Sequence, residues 1–300
     1  MKDKFLAIVN PAAGGGRSAK LAGAELARLR EKGLRLDVIA STEPGHTAEL
    51  AGEAYQQGYR RFLAVGGDGT AHELINGILG RVTIGQHLEL GFLPLGTGNS
   101  FLRDFTKSEA ESSFEALVLG RRRPVDVMRL QHAGGTIYSL NLVSLGFTAD
   151  VAAITNRVFK RFGHLGYLLG IFVCVVRLRR RPFKMRCDND KEWDDRRCLF
   201  IAFNNSKYTG GTMLIAPNAD ASDGLIEYVR WGPIGRLGLV KMLPRLYDGT
   251  HIEHVLASRR AVKRVEFALE GAVDVMIDGE IVTVECKALD ILPGAMDVYI

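Results

Sequence analysis

Along the first 124 residues a short continuous apolar run, a glycine-rich turn and a stretch with apolar residues every three or four positions follow one another repeatedly. Phe5–Val9, Leu36–Ala40, Arg61–Val65 and Leu90–Pro94 read as buried strands. Ser18–Glu31, with Leu21, Ala24, Leu26 and Leu29 on one face, reads as a helix, as do Thr47–Gln57, Ala71–Leu79 and Ser108–Leu119, and a helical turn is expected over Phe101–Phe105. Such alternation predicts a parallel sheet covered by helices. After Pro124 the texture changes to short β-rich runs separated by turn residues: Val125–Leu130, Thr136–Val143, Cys198–Asn204, Leu225–Val229, Ala261–Leu269, Val273–Asp278 and Ile281–Cys286. Helical stretches over Ala149–Arg181 and Gly235–Tyr247 interrupt them. The expected organisation is an α/β domain over 1–124 and an antiparallel sandwich or barrel over 125–288.

Three of the predicted strands run into glycine-rich loops. These are Asn10–Gly16, Gly66-Gly67-Asp68-Gly69-Thr70 and Pro94-Leu95-Gly96-Thr97-Gly98-Asn99-Ser100. A strand, a Gly-rich loop and a helix start converge backbone N–H groups on one point, which is an anion site. Glycines let the backbone approach a polyphosphate without Cβ clashes, and Asp68 puts a carboxylate where a phosphate-bound Mg²⁺ would sit. No Lys-Ser or Lys-Thr follows the glycines, so this is not a Walker A loop, and the spacing is not Gly-x-Gly-x-x-Gly. Alone, the segment has a second reading, a tight strand-to-helix turn with an Asx cap. Three loops at the carboxyl edge of one sheet, with Thr42 at the end of its own strand, point instead to one nucleotide.

Composition narrows the partners. A chain of 300 residues at 47% hydrophobic and 24% charged is globular and large enough for two domains, which excludes disorder. A net charge of +5 suits an anionic partner, whether lipid headgroup, nucleotide or nucleic acid. The basic residues cluster at Arg121–Arg123 and between Arg177 and Arg186, each cluster alone reading as a solvated face. Cys174, Cys187, Cys198 and Cys286 lack metal-ligand or disulfide spacing, and His46, His72, His87 and His132 show no ligand pattern. The longest apolar run, Leu165–Val176, stops at Arg177, short of the roughly 20 residues that span a bilayer. With no signal-peptide pattern at Met1-Lys2-Asp3-Lys4, a cytoplasmic location is expected.

The motifs together resemble the diacylglycerol kinase catalytic-domain superfamily, particularly its bacterial soluble lipid kinases. The resemblance rests on Asn10-Pro11 with its glycines, Gly66–Thr70 and Pro94–Asn99. It continues in Tyr208-Thr209-Gly210-Gly211, Ala216-Pro217-Asn218-Ala219, Asp223-Gly224-Leu225, Gly249-Thr250-His251 and Asp278-Gly279-Glu280, and so covers essentially the whole chain. It implies an N-terminal α/β nucleotide domain, a C-terminal β-sandwich, an active site in the cleft between them, and a return of Leu289–Ile300 to the first domain. The implied reaction is transfer of a phosphoryl group from ATP, with Mg²⁺, to a diacylglycerol-like or sphingoid-like hydroxyl.

On that resemblance the nucleotide is held by Asn10, Thr42, Gly66, Gly67, Asp68, Gly69, Thr70, Gly96, Thr97, Gly98 and Asn99, with Asp68 also on Mg²⁺. Asp278 or Glu280 is the proton acceptor; taken without it, the segment reads as an Asp-Gly hairpin with exposed acids. Asp220, Asp223 and the carbonyl of Leu225 resemble a structural Mg²⁺ loop of bacterial members, with Ser222 where the family commonly carries a second acid. Ser100 stands where many bacterial members have Asp, which leaves the acceptor lipid open. Gly163–Arg181, an apolar body (Leu165, Leu168, Leu169, Ile171, Phe172, Val173, Val176) followed by arginines, suits either an anionic membrane interface or a buried helix with a charged end. The expected partner is a lipid at a membrane surface rather than nucleic acid, with association peripheral to the inner face. The oligomeric state is open, a dimer included. An NAD kinase-like enzyme with a soluble acceptor and a catalytically inactive nucleotide- or lipid-binding regulator are the alternatives.

Overall fold

The computed structural model describes residues 4–82, 87–106, 109–155, 158 and 163–300. Among them the side chains of 109 and 163–168 are left undescribed. The chain divides into two compact units, one running to Val127 and including Pro293–Ile300, the other Met128–Leu292.

The first unit alternates β1 (Phe5–Val9), α1 (Arg17–Glu31), β2 (Leu36–Ala40), α2 (His46–Gln56), β3 (Arg61–Gly66), α3 (Asp68–Ile78), β4 (Glu89–Pro94) and α4 (Glu109–Leu119). The strands lie parallel in the order β2-β1-β3-β4. Apolar residues fill β1, β3 and β4 without alternation because helices cover both faces. Leu26 and Leu29 of α1 and Phe114 and Leu117 of α4 share one core with Ala7, Leu63 and Leu93. The start expected for α4, Ser108, lies outside the described residues, and the turn expected at Phe101–Phe105 is a 3₁₀ turn over Leu102–Asp104.

Beside β4 the sheet is completed by the end of the chain, where Asp297 and Val298 pair in parallel with Glu89 and Leu90. A charge cluster sits on this junction. The Glu89 side chain, 7% exposed, faces Arg61 at 3.0 Å and Arg122 at 3.1 Å, and accepts the Tyr299 hydroxyl at 2.5 Å. Arg122 also reaches Asp297 at 3.1 Å.

The second unit is entered along β5 (Arg122–His132), followed by β6 (Gly135–Ser139), β7 (Leu142–Gly146), α5 (Phe147–Ile154) and α6 (Gly163–Val176). Next come β8 (Arg181–Pro182), β9 (Met185–Cys187), β10 (Arg197–Cys198), β11 (Phe200–Asn204), β12 (Tyr208–Thr209), β13 (Met213–Leu214) and β14 (Ile226–Trp231). The chain then forms α7 (Arg236–Met242), α8 (Arg245–Asp248), β15 (Ala257–Val262), β16 (Arg264–Phe267), β17 (Val273–Ile277), β18 (Glu280–Val284) and β19 (Cys286–Tyr299). An antiparallel sheet runs β15-β14-β11-β7-β17-β18, while β16 joins β9 to β19 and β5 joins β19 to β6. Met128, Val265 and Leu289 of the second group share a core with Val143, Phe203 and Val275 of the first, which makes a β-sandwich. Successive residues of a strand face opposite sides, so Ile201 and Phe203 point into the sandwich while Phe200 and Ala202 pack with Phe147, Val151, Cys174 and Leu239 of the helices. That double burial explains why β11 is apolar throughout.

Several predicted elements are divided, each for a local reason. The run Thr136–Val143 breaks at Leu140-Asn141, whose amides turn to the Asp278 carboxylate. Ala261–Leu269 breaks at Lys263, where β15 ends in one sheet and β16 begins in the other; Asp188 takes the Lys263 and Arg264 amides at this corner. Pro244, lacking an N–H, separates α7 from α8 within Gly235–Tyr247. In Ala149–Arg181 the helices are α5 and α6, residues 156–157 and 159–162 lie outside the described residues, and Arg181 belongs to β8. Among the described residues no helix is long and apolar enough to cross a membrane.

Replacing Glu89 by Ala removes the acceptor of the Tyr299 hydroxyl and the carboxylate that faces Arg61 and Arg122. The expected cost is about 2 kcal/mol, below that of a fully buried pair because Arg61 and Arg122 keep part of their surface in water. Urea unfolding followed by tryptophan-independent far-UV signal measures it, with Tyr299→Phe expected at about 1 kcal/mol.

Candidate active site

In the first unit the loops after β1, β3 and β4 meet. The Gly66 carbonyl accepts the amides of Leu95 at 2.8 Å and Gly96 at 2.9 Å, and the Val65 carbonyl accepts that of Asn10 at 3.0 Å. This brings the Cα of Gly67 within 2.5 Å of where a Cβ on Gly96 would stand, and a Cβ on Gly14 would meet the Leu95 carbonyl. Only glycines permit such contact, and Gly14 also has φ 63°, a left-handed value. Asn10 closes its own turn by accepting the Ala12 amide at 3.1 Å.

Asp68 opens α3 and its carboxylate reaches across to the third loop. One oxygen accepts the Ser100 amide at 2.7 Å and the other the Phe101 amide at 3.5 Å. The loops and the start of α3 enclose a cavity of about 280 Å³ lined by Asn10, Gly14, Asp68, Thr70, Gly96 and Thr97 among others. At the start of α3 the Gly67 carbonyl accepts the amides of Thr70 at 3.0 Å and Ala71 at 3.3 Å. Ala13 and Gly67, Gly69 and Gly98 complete the lining.

Three of the expected nucleotide residues, Gly66, Asn99 and Thr42, stand apart from that lining, and Gly66 acts through the carbonyl already described. Asn99 is 8% exposed with φ 44°, and its carbonyl accepts the Arg103 amide. Thr42, past the end of β2, donates its amide to His46 Nδ1 at 3.2 Å, with its hydroxyl 2.9 Å from the same nitrogen. Sequence inspection missed the use of Asp68 as an acceptor for Ser100 and Phe101; an acid in the first turn of a helix that binds a distant amide carries no local signal.

In the second unit Asp278 and Gly279 form the two-residue turn between β17 and β18, with φ 51° and 96°. The turn does not present its two acids alike. Asp278 is 8% exposed, and its carboxylate accepts the Ser139 hydroxyl at 2.6 Å and the amides of Leu140, Asn141 and Leu142 at 3.1, 2.9 and 3.0 Å. Glu280 is exposed at the start of β18. The loop before β14 satisfies its own acids: Asp220 accepts the Ser222 amide and hydroxyl at 3.0 and 2.7 Å, and Asp223 accepts the Leu225 amide at 2.9 Å.

The same unit holds an apolar cavity between the helices and the outer face of the six-stranded sheet. Phe147, Val151, Ile171, Phe200, Leu239 and Leu243 line it, and it is narrow, about 30 Å³. Burial pushes the thiols of Cys187 and Cys198 up to about 11, which keeps them from acting as thiolates near neutrality.

A parallel α/β unit whose glycine-rich loops line a cavity is thus followed by a β-sandwich. Residues 4–130 match the diacylglycerol kinase catalytic domain, and residues 141–300 match the YegS C-terminal NAD kinase beta sandwich-like domain. The chain is 28% identical to a diacylglycerol kinase of Mycobacterium tuberculosis H37Rv, over 98% of this chain and 94% of that one. It is 30% identical to a protein of Chromohalobacter salexigens named "probable lipid kinase YegS-like", over 94% and 89%. A crystal structure of a diacylglycerol kinase from Bacillus anthracis shares the fold with a TM-score of 0.70 at 20% identity, over 99% of this chain and 96% of that one. The chain belongs to the diacylglycerol kinase-like family of bacterial lipid kinases.

Placing a methyl on Gly96 forces the second and third loops apart. Gly96→Ala is expected to weaken nucleotide binding at least about tenfold, near 1.4 kcal/mol, in titration calorimetry. In the second unit Asp278→Ala leaves four donors without their acceptor and is expected to cost about 2–4 kcal/mol in chemical unfolding, against less than about 0.5 for Glu280→Ala.

Proposed function

We propose that this protein is an ATP-dependent lipid kinase in which the first unit binds the nucleotide and the second binds a lipid, the γ-phosphoryl group passing to a lipid hydroxyl. The observation that carries the word lipid is the apolar cavity walled by α5, α6 and α7, whose lining is suited to an acyl or sphingoid chain and offers almost nothing to a soluble acceptor. Its walls must part to admit a chain. Family membership supports the kinase chemistry, and the cradle around Gly67 supports the donor's phosphates.

The residues fit Mg-ATP. Asp68 puts a carboxylate in the lining of the cradle, and among the described residues no cluster of three acidic, histidine or cysteine side chains exists. Magnesium ordinarily takes one or two carboxylates and completes its shell with phosphate and water, and when bound it neutralises charge on the transferred group. Asp220, Asp223 and the Leu225 carbonyl fit a second ion less well, because Ser222 already occupies an Asp220 oxygen, and no step depends on them.

Glu280 is the proposed base. It takes the proton of the lipid hydroxyl as that oxygen bonds to the γ-phosphorus and the bond to the ADP oxygen breaks. Access to the lipid is proposed to come from the surface of the second unit. Leu169, Phe172 and Val176 on α6 and Leu237 and Val240 on α7 are exposed large apolar side chains, and Arg177, Arg179, Arg180 and Lys241 are exposed on the same two helices or just after α6. An apolar face rimmed by cations suits an anionic lipid surface.

Purified protein given labelled ATP, Mg²⁺ and lipids in mixed micelles is expected to label a lipid, with NAD⁺ and sugar phosphates as soluble controls. Transfer to NAD⁺ alone would overturn the lipid assignment, and binding without transfer would favour a regulator. Glu280→Gln is expected to lower kcat by about 10²–10⁴ with the KM for ATP little changed. In Asp68→Asn the amide oxygen can still accept from Ser100, so the fold should survive while turnover is lost; unchanged turnover would remove the metal role.

A further inference from the structure

Three strand ends lie together at one end of the six-stranded sheet. Leu142, the first residue of β7, pairs with Asn204, the last of β11, and Val143 pairs with Ile277, the last of β17. The chain beyond these ends is polar and buried: Ser139 is 1% exposed, Asn141 3%, and Asn205 and Ser206 0%. Burying polar groups is costly unless every one is bonded, so a closed sandwich end would ordinarily be apolar.

The bonds run through one central segment, residues 139–142. From one side Asp278 holds it with the four carboxylate contacts already described and with its own amide, which donates to the Leu142 carbonyl at 3.0 Å. From the other side Asn205 donates its amide to the Asn141 carbonyl at 2.8 Å and its side-chain nitrogen to the Leu140 carbonyl at 2.8 Å. The Ser206 hydroxyl donates to Asn141 Oδ1 at 2.5 Å. Segments far apart in sequence thus fix the position of Asp278, and Asp278 is the first residue of the turn that launches Glu280.

We propose that Ser139, Asn141, Asn205, Ser206 and Asp278 are positioning residues, a buried hydrogen-bonded frame that sets the direction in which Glu280 is presented to the acceptor hydroxyl. The inference rests on Glu280 being the base and deepens that reading. A two-residue turn with both φ angles positive leaves the following side chain one exit direction, but only while the turn itself cannot rock. A base must come within about 3 Å of the proton it removes, and a shift of about 1 Å can cost a hundredfold in rate. The frame holds the turn at both its amide and its carboxylate, which gives a reason for an acid at 278 that is not itself open to substrate.

The test compares kcat and KM for Ser139→Ala, Ser139→Thr and Asn205→Ala in the full chain, alone and combined with Glu280→Gln. Ser139→Ala and Asn205→Ala are expected to lower kcat about ten- to hundredfold with the KM for ATP and for lipid within about twofold, and Ser139→Thr, which keeps the hydroxyl, to recover most of the loss. In the Glu280→Gln background the same changes should produce little further fall, because a base that is absent cannot be misaimed. Wild-type kcat in both alanine variants, or losses that multiply fully with Glu280→Gln, would overturn the frame. Full activity of Glu280→Gln alone would remove the base assignment instead, so the two failures are distinguishable. If Asn205→Ala does not fold, the Ser139 pair decides by itself.

Discussion

The carbonyl oxygen of Gly66 is the atom on which the glycine-rich end of the first unit depends. By accepting both Leu95 and Gly96 amides it draws the end of β4 against the loop after β3, closer than any side chain at Gly67 or Gly96 would permit. Asp68 then ties the far side of the same junction through Ser100 and Phe101. The cradle is therefore made almost wholly of backbone, and its shape follows from where side chains are missing. An anion held by such a surface is recognised by its charge and size, which is the demand that a polyphosphate makes.

Much of this was legible in the sequence, because parallel strands buried on both faces write themselves as unbroken apolar runs and their loops as glycine clusters. The strands β1 to β4 and the helices α1 and α2 fall within a residue of their predicted limits, while α3 starts at Asp68, three residues before the predicted Ala71. The second unit was read more coarsely. Thr136–Val143 and Ala261–Leu269 each look like one strand, since the residues at the breaks, Leu140-Asn141 and Lys263, are punctuated by bonds from Asp278 and Asp188, far away in sequence. What Asp278 does was hidden for the same reason. An Asp-Gly pair announces a turn, and nothing adjacent announces that the carboxylate will be spent on Ser139 and three amides. The apolar cavity was equally invisible, because the residues that line it come from α5, α6, α7 and the outer face of β11 and β14, each of which reads locally as ordinary core.

The second unit carries three kinds of interior. Between the sheets the core is apolar and tightly filled, as Phe203, Val265 and Leu289 show, and it supplies stability without specifying any chemistry. At the sheet end the interior is a hydrogen-bonded frame, and outside the sheet it is a thin apolar gap under helices whose outer faces also expose Phe172 and Leu237.

The long strand β19 begins in the second unit and ends in the first, where Asp297 and Val298 supply the partner for β4. During synthesis, then, the first unit emerges without the strand that finishes its sheet, and it must wait with β4 exposed while the whole of the second unit is made. Its completion is a contact of very long sequence separation, slow to form and open meanwhile to wrong pairing. A ribosome-bound chain of this protein would hold an unfinished sheet edge until β19 arrives, which makes the pairing of β19 with β4 the step that commits the first unit to its folded state.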